Sequence, residues 1–292
     1  MSISHYVERN LRWIFPLPAA LFVAVLMIFP IIFTVGLSLN DWNMLSGGKI
    51  GFVGLGNYAE MLANNRFWTA TLRTIYFTLL AVGTETVLGV AVALILDRDF
   101  RGRGVAKLLL LLPMVTTPVA IGLAWTLFYE PTIGLANVVL RFLGLPPSTW
   151  IASKTLVIPS LAVVDVWQWT PMIALIVMAG LASLPQEPFE SAKVDGANAY
   201  QRFRHIMLPL LSPTIVVAVI LRGIEGLKTF DIIYVMTAGG PGQASETLNI
   251  YAYNLSFNYF RFGAASSTLI ALFFIVLAST YGMLRLRKTY DF

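Results

Sequence analysis

The sequence predicts an all-α membrane protein with six spanning helices and both termini in the cytoplasm. Three observations predict it: the composition, the number of long apolar segments and the distribution of basic residues. Hydrophobic residues make up 57% of the 292 residues and charged residues only 12%, whereas soluble domains have about 45–50% and about 25%. A soluble protein needs more charged side chains than this on its surface, so the composition indicates a membrane protein.

Six apolar segments are long enough to cross a bilayer, because a hydrocarbon core about 30 Å thick needs about 20 helical residues. The first is too long for a secretory signal peptide and contains Pro16, Pro18 and Pro30, so we interpret it as a retained span. The fifth is the least regular, since Arg222 and Glu225 lie inside it. The six segments are residues 13–39, 72–96, 105–128, 156–181, 207–227 and 263–284.

The basic residues predict the orientation, since Lys and Arg are enriched in cytoplasmic loops. With both termini inside, twelve of the 20 lie on the cytoplasmic side and seven outside, and Arg222 lies in the membrane. The expected organisation is a cytoplasmic N-terminus at 1–12, a first span at 13–39, a core of five spans at 72–284, a cytoplasmic loop at 185–209 within it, and a cytoplasmic C-terminus at 285–292.

The sequence lacks the residues that several classes of function require. The formal charge of +5 is spread through short loops rather than gathered in one patch, which argues against a nucleic-acid partner. Cysteine is absent and the two histidines are isolated in the sequence, so neither disulfides nor a metal site are expected. The nucleotide-binding pattern G-x-x-x-x-G-K-[ST] is also absent, and no hydrolase or protease signature occurs. We therefore expect a protein that is not an enzyme and carries no cofactor.

The cytoplasmic loop has the local signals of two short helices joined by a sharp turn. Pro188 suits a first helical turn, and Gly196 permits the left-handed residue that ends a helix. Asn198 can cap the next helix, with Gln201 three residues later able to reach back. Phe189 lies on one helical face with Ala192 and Lys193, a face that fits a groove on another protein. The alternative is a merely solvated loop.

The loop sequence decides between these two interpretations. It reads E-x-A-x-x-x-G, then nine residues, then I-x-L-P. This spacing resembles the cytoplasmic docking loop of the MetI-like type I permeases of ABC importers, with Ser191 as a departure from the usual Ala. The resemblance implies contact with a separate ATPase, which would hold ATP and Mg²⁺, through Glu190, Ser191, Ala192, Asp195, Gly196, Ile206, Leu208 and Pro209.

Other segments resemble the carbohydrate branch of these permeases, which includes the maltose and glycerol-phosphate importers. The most specific is F-D-x-I-Y-x-x-T-x-G-G-P, which starts at Phe230 and is followed by Glu246-Thr247-Leu248. The resemblance implies import of a sugar or a related polyol across a bacterial or archaeal cytoplasmic membrane. It also implies a heterodimer with a second permease, a pair of ATP-binding subunits and an external solute-binding protein.

Polar residues inside spans are costly, so each is a candidate for the transport pathway. Arg222 and Glu225 are three residues apart on a helix and can pair, with Asp165 within reach. Glu85 lies near the middle of the second span, and its sequence neighbours identify no partner. The alternative for these charges is a structural ion cluster.

Aromatic residues form the second group of pathway candidates. Trp167, Gln168 and Trp169 lie deep enough to face a cavity, where a tryptophan face can stack on a sugar and Gln168 and Asp165 can bind hydroxyls. Trp125 and Tyr129 can also line the cavity, but for these two residues an aromatic belt at the outer interface is the favoured interpretation. Thr116 and Thr117 lie between two prolines, which predicts either a kink or a broken helix beside a cavity.

A second class of function is an ion-coupled secondary transporter. Such transporters usually have internal repeats and carboxylates near the membrane midplane. The two halves of this chain show no repeat, and only Glu85 lies at that depth. The ATP-driven importer is therefore the leading hypothesis.

Overall fold

The computed structural model describes residues 12, 13 and 15–290. Five helices in this part of the chain are long and apolar enough to cross a membrane. Two further helices, Arg103–Val115 and Pro118–Phe128, pass the same test only together and are bent by 97° at the break between them, so the count is six if this pair is one span. The structure thus confirms the all-α class and agrees with six spans. The expected terminal segments lie partly outside the described residues.

The helices and strands follow the order α1 Leu17–Ser38, β1 Asn40–Trp42, β2 Ile50–Phe52, α2 Gly56–Ala63, α3 Asn65–Asp97, α4 Arg103–Val115, α5 Pro118–Phe128, α6 Leu135–Phe142, α7 Val157–Ala182, α8 Glu187–Val194, α9 Ala199–Arg202, α10 Leu208–Leu227, α11 Asp231–Thr237, α12 Leu248–Tyr253 and α13 Phe262–Tyr290. A short π-helical segment, Phe203–Met207, joins α9 to α10, so that residues 199–227 form one continuous helical run.

Two span boundaries differ from the sequence-based expectation. The first helix begins at Leu17 rather than at residue 13, because Pro16 and Pro18 both lie at its start. The second span begins at Asn65 rather than at residue 72, since a polar first turn extends the helix beyond its apolar part.

The chain divides into two compact units, and the first contains the described residues up to Asn65 together with Ala252–Ala271. Within it, β1 and β2 form an antiparallel hairpin. The side-chain amide of Asn57 donates to the carbonyl oxygens of Ser38 and Asn40, both at 2.9 Å. Helix α1 has apolar side chains on every face, and these are exposed along nearly its whole length.

The second unit contains Arg66–Tyr251 and the described residues from Leu272 onward. Its central helices α3, α7 and α10 approach closely at glycines. A Cβ on Gly89 of α3 would lie 2.7 Å from Ile173 Cγ2 of α7, and one on Gly180 of α7 would lie 2.8 Å from Thr214 Cγ2 of α10. Small residues at such crossings let helix backbones pack in lipid, where no hydrophobic force drives association.

Candidate functional site

Three charged side chains meet inside the second unit, one from each of its central helices. Arg222 of α10 places Nε 2.7 Å from Oε2 of Glu85 in α3, and its Nη2 donates to Glu85 Oε1 at 3.2 Å. The same Nη2 donates to Oδ2 of Asp165 in α7. All three side chains are at most 2% exposed. Glu85, Asp165 and Arg222 are called the ion cluster below.

The ion cluster corrects the expected pairing of Arg222 with Glu225. Glu225 lies on an exposed face of α10 and pairs instead with Lys228, at 3.0 Å. Arg222 points into the helix bundle, where Glu85 and Asp165 supply two carboxylates for one guanidinium. The expected proximity of Asp165 is confirmed, and Glu85 has the partner that its sequence neighbours did not reveal.

A cavity of about 140 Å³ lies beside the ion cluster. Its wall includes Trp169, whose ring centroid lies 5.3 Å from the guanidinium carbon of Arg222. Among the described residues, Asp165 Oδ1 has no hydrogen-bond partner, and the contacts of Arg222 use Nε and Nη2 but not Nη1. The lining consists of Pro118, Asp165, Trp169, Arg222, Glu225, Lys228, Thr229, Phe230, Asp231 and Ile232.

Gln168 directly precedes Trp169 in the sequence, but its side chain does not line the cavity. Its side chain is fully buried, and its Nε2 donates to the carbonyl oxygen of Thr116 at 3.3 Å. Thr116 lies at the break between α4 and α5, where Pro118 has no N–H to donate. Gln168 therefore supports the broken backbone of the third span, and the predicted break is confirmed.

The other aromatic candidates lie away from the cavity. Trp125 of α5 is in contact with Tyr129 and Trp167, with ring centroids 5.3 and 5.8 Å apart. Trp167 is 47% exposed on the surface of α7. Since neighbouring residues of a helix point in different directions, Trp169 alone of the Trp167–Trp169 segment reaches the cavity lining.

The segment that begins at Phe230 contributes to the cavity wall at one end and is anchored at the other. Phe230 and Asp231 line the cavity. Sixteen residues after Phe230, the buried carboxylate of Glu246 accepts two hydrogen bonds from Arg66 at the start of α3, each at 2.7 Å. Sequence reasoning missed Arg66, because its partner lies 180 residues away.

The cytoplasmic loop has the helix–turn–helix form that its sequence predicts. Gly196 has a φ of +78°, directly after α8 and its C-cap residue. Asn198 and Gln201 form the expected capping box, with bonds of 2.9 and 2.8 Å. Arg202 Nη1 donates to the carbonyl oxygen of Ala197 at 2.7 Å, which ties α9 back to the turn.

The outward face of this loop differs from the expected one. Ala192 is buried and Phe189 is half-buried, so the predicted apolar face turns towards the protein itself. The exposed residues of α8 and the turn include Glu190, Ser191 and Asp195, as well as Val194, which is 88% exposed. Val194 is not among the predicted contact residues of the loop, although a valine between the charged residues Lys193 and Asp195 is unusual in a solvent-exposed loop.

The remaining loop residues lie where α10 begins. Ile206 and Leu208 are half-buried and Pro209 is exposed in the first turn of α10. Tyr200, in α9, is 68% exposed. Glu190, Ser191, Val194, Asp195 and Tyr200 are called the loop surface below.

Comparison with known proteins identifies the family. Residues 85–286 match the family of binding-protein-dependent transport system inner membrane components. The chain belongs to this family. The permease is 37% identical to the trehalose/maltose transport system permease protein MalF of Thermococcus litoralis, over 97% of this chain and 95% of that one. It is 34% identical to the trehalose transport system permease protein SugA of Mycobacterium tuberculosis, over 92% and 86%.

A solved structure has the same fold. The permease superposes on a chain of a bacterial ABC transporter involved in the import of the acidic polysaccharide alginate, with a TM-score of 0.84 over 99% of both chains. The two sequences are only 20% identical, so this likeness concerns the fold.

Proposed function

We propose that this permease is one half of the membrane channel of an ATP-driven sugar importer. Its relatives carry the names of trehalose and maltose permeases, and its cytoplasmic loop has the form of a docking element. A second permease would complete the channel as a heterodimer, two ATP-binding subunits would supply the energy, and an external solute-binding protein would deliver the sugar. The membrane is then the bacterial or archaeal cytoplasmic membrane, crossed with both termini inside.

The cavity beside the ion cluster is the proposed passage for the sugar. Asp165 Oδ1 can accept a hydrogen bond from a sugar hydroxyl, and Arg222 Nη1 can donate one. The face of Trp169 carries negative partial charge, which suits the polarised C–H bonds of a sugar ring. Asp165, Trp169, Arg222 and Glu225 would touch the sugar, whereas Glu85 would orient Arg222 from behind.

One observation supports the proposed coupling between the ATPase and the cavity. The continuous helical run of residues 199–227 begins in the cytoplasmic loop and contains Arg222. At about 1.5 Å per residue, Pro209 and Arg222 are about 20 Å apart along this helix. A movement of the loop surface by the ATPase would therefore be transmitted through a rigid element to the cavity wall.

The experiment is uptake by the purified transporter in liposomes, after the partner chains have been captured with the tagged permease and identified by mass spectrometry. We expect uptake to require ATP inside, the ATPase subunits and the loaded binding protein. An ATPase variant lacking its nucleotide-binding lysine should abolish it. Uptake that continues with that variant, and stops when a proton or sodium gradient is dissipated, would instead establish a secondary transporter.

A further inference from the structure

An apolar groove of about 560 Å³ lies near the predicted outer end of the second unit, separate from the cavity beside the ion cluster. It is formed by the end of α5, by α6, and by the start of α7. This volume is within the range of about 300–1,000 Å³ for ligand pockets. Trp125 of α5, Val139 of α6 and Val163 of α7 line it, together with Tyr129 and Trp150 from the segments between these helices.

The polar groups around this groove are paired with the protein itself. Asn137 is fully buried, and its Oδ1 accepts hydrogen bonds from Trp150 Nε1 at 2.8 Å and from the Ser148 N–H at 2.9 Å. Its Nδ2 donates to the carbonyl oxygens of Pro131 and Ser148, both at 2.8 Å. Tyr129 Oη donates to the Ser160 carbonyl oxygen. A ligand in this groove meets hydrocarbon and aromatic faces, so a sugar is a poor occupant.

Contacts within the protein hold the wall of the groove rigidly in place. The rings of Tyr129 and Trp150 stack with centroids 5.2 Å apart and an interplanar angle of 24°. Trp150 has a φ of +42°, and such a conformation in a bulky residue persists only where its surroundings hold it. The hydrogen bond that Trp150 Nε1 donates to Asn137 Oδ1 and the stacking on Tyr129 provide that restraint.

The groove is continuous with the surface that a membrane covers. Helix α6 has apolar residues at six of its eight positions, and Leu135, Val139 and Phe142 are 52%, 50% and 89% exposed. Such a helix lies in the membrane interface rather than in water. Leu123 and Leu127 of α5, 58% and 73% exposed, extend the same apolar surface into the span.

A positive charge lies at the rim of this surface. Arg141 is in the last turn of α6, two residues after Val139, and its side chain is exposed. Its position in a helix of the membrane interface suits the phosphate of a lipid headgroup. We propose that the groove binds one hydrocarbon chain of a phospholipid from the outer leaflet, with the lipid phosphate beside Arg141.

The test uses the assembled transporter in nanodiscs whose phospholipids carry bromine on their acyl chains. Bromine quenches tryptophan fluorescence on contact, and Trp150, in the short 3-10 helix between α6 and α7, lines the groove. We expect Trp150→Phe to remove part of the quenched amplitude, whereas Trp42→Phe in β1 leaves it unchanged. Filling the groove with Ala136→Phe should abolish the contribution of Trp150, while Val138→Phe, which does not line the groove, should not. Quenching that is the same with and without Trp150 would overturn the proposal.

A photo-crosslinker in place of Val139, which lines the groove, identifies the occupant directly. Attachment to phospholipid, detected by mass spectrometry of the permease, is the expected result. Attachment to the second permease or to the binding protein would overturn the proposal and make the groove a protein interface. Attachment to the transported sugar would overturn it in favour of a sugar subsite.

Discussion

Glu85 and Arg222 are 137 residues apart in the chain, and their side chains meet with Glu85 Oε2 2.7 Å from Arg222 Nε. Asp165 completes the ion cluster, so α3, α7 and α10 are joined at one buried point. Two carboxylates face one guanidinium there. The ion cluster can therefore have two roles, which experiments have to distinguish. It holds three helices together, and it presents polar atoms to the cavity.

Removing the guanidinium should destabilise the permease, because two buried carboxylates lose their counter-charge. We expect Arg222→Met to cost about 3–5 kcal/mol, visible as a lower melting temperature of the assembled transporter in detergent. The triple variant E85Q, D165N and R222M leaves no buried charge at this point and should recover most of that loss. If the triple variant also recovers full uptake, the ion cluster is structural only.

Trp169→Ala should reduce uptake, because it removes the flat face that Trp169 contributes to the cavity beside Arg222. Assembly should remain intact, because the three side chains of the ion cluster are unchanged. Trp167→Ala is the matched control, since it removes the same side chain two residues away on the exposed surface of α7. Initial uptake rates at several sugar concentrations, together with co-purification of the ATPase, provide the measurement. Equal rates for the two variants would place the sugar pathway elsewhere.

Gly196→Val should abolish uptake without preventing membrane insertion. A Cβ at Gly196 meets no neighbour within 4 Å, so the expected effect arises from the φ of +78°, which a β-branched residue rarely adopts. Gly144 is the matched control, because it has a φ of +72° and equally open surroundings beyond α6. Gly144→Val should leave uptake largely unchanged. The readout is ATPase stimulation by loaded binding protein, alongside uptake, and normal stimulation in Gly196→Val would exclude this turn from coupling.

The orientation of the chain is open to a direct test with reporter fusions. A reporter fused after Arg103 or Arg204 should be active in the cytoplasm, and one fused after Arg141 or Gln243 should be active outside. Lys and Arg are retained on the cytoplasmic side during insertion, which is the reason for this expectation. A fusion after Arg204 that reports from the outside would contradict docking of the loop surface on a cytoplasmic ATPase.

Features that depend on local composition and short spacing could be predicted from the amino-acid sequence alone. Apolar length predicted the spans, proline and threonine predicted the break at Thr116, and glycine and asparagine predicted the turn and capping box of the cytoplasmic loop. These features are decided within a few residues of backbone. Local signals are therefore sufficient for them.

Which distant residues meet depends instead on how the helices pack against one another. Helical spacing favoured Arg222 with Glu225, yet a guanidinium in a bundle pairs with whatever carboxylates the neighbouring helices bring to its depth. Those carboxylates are Glu85 and Asp165, and no local pattern records the rotation of α3 and α7 about their axes. The rotation of α7 also separates Trp169 in the cavity from Trp167 on the surface. The orientation of α8, in the same way, turns Phe189 inward while Val194 faces out. Packing of small residues at Gly89 and Gly180 holds these helices close together, and that is a property of facing surfaces rather than of any one segment.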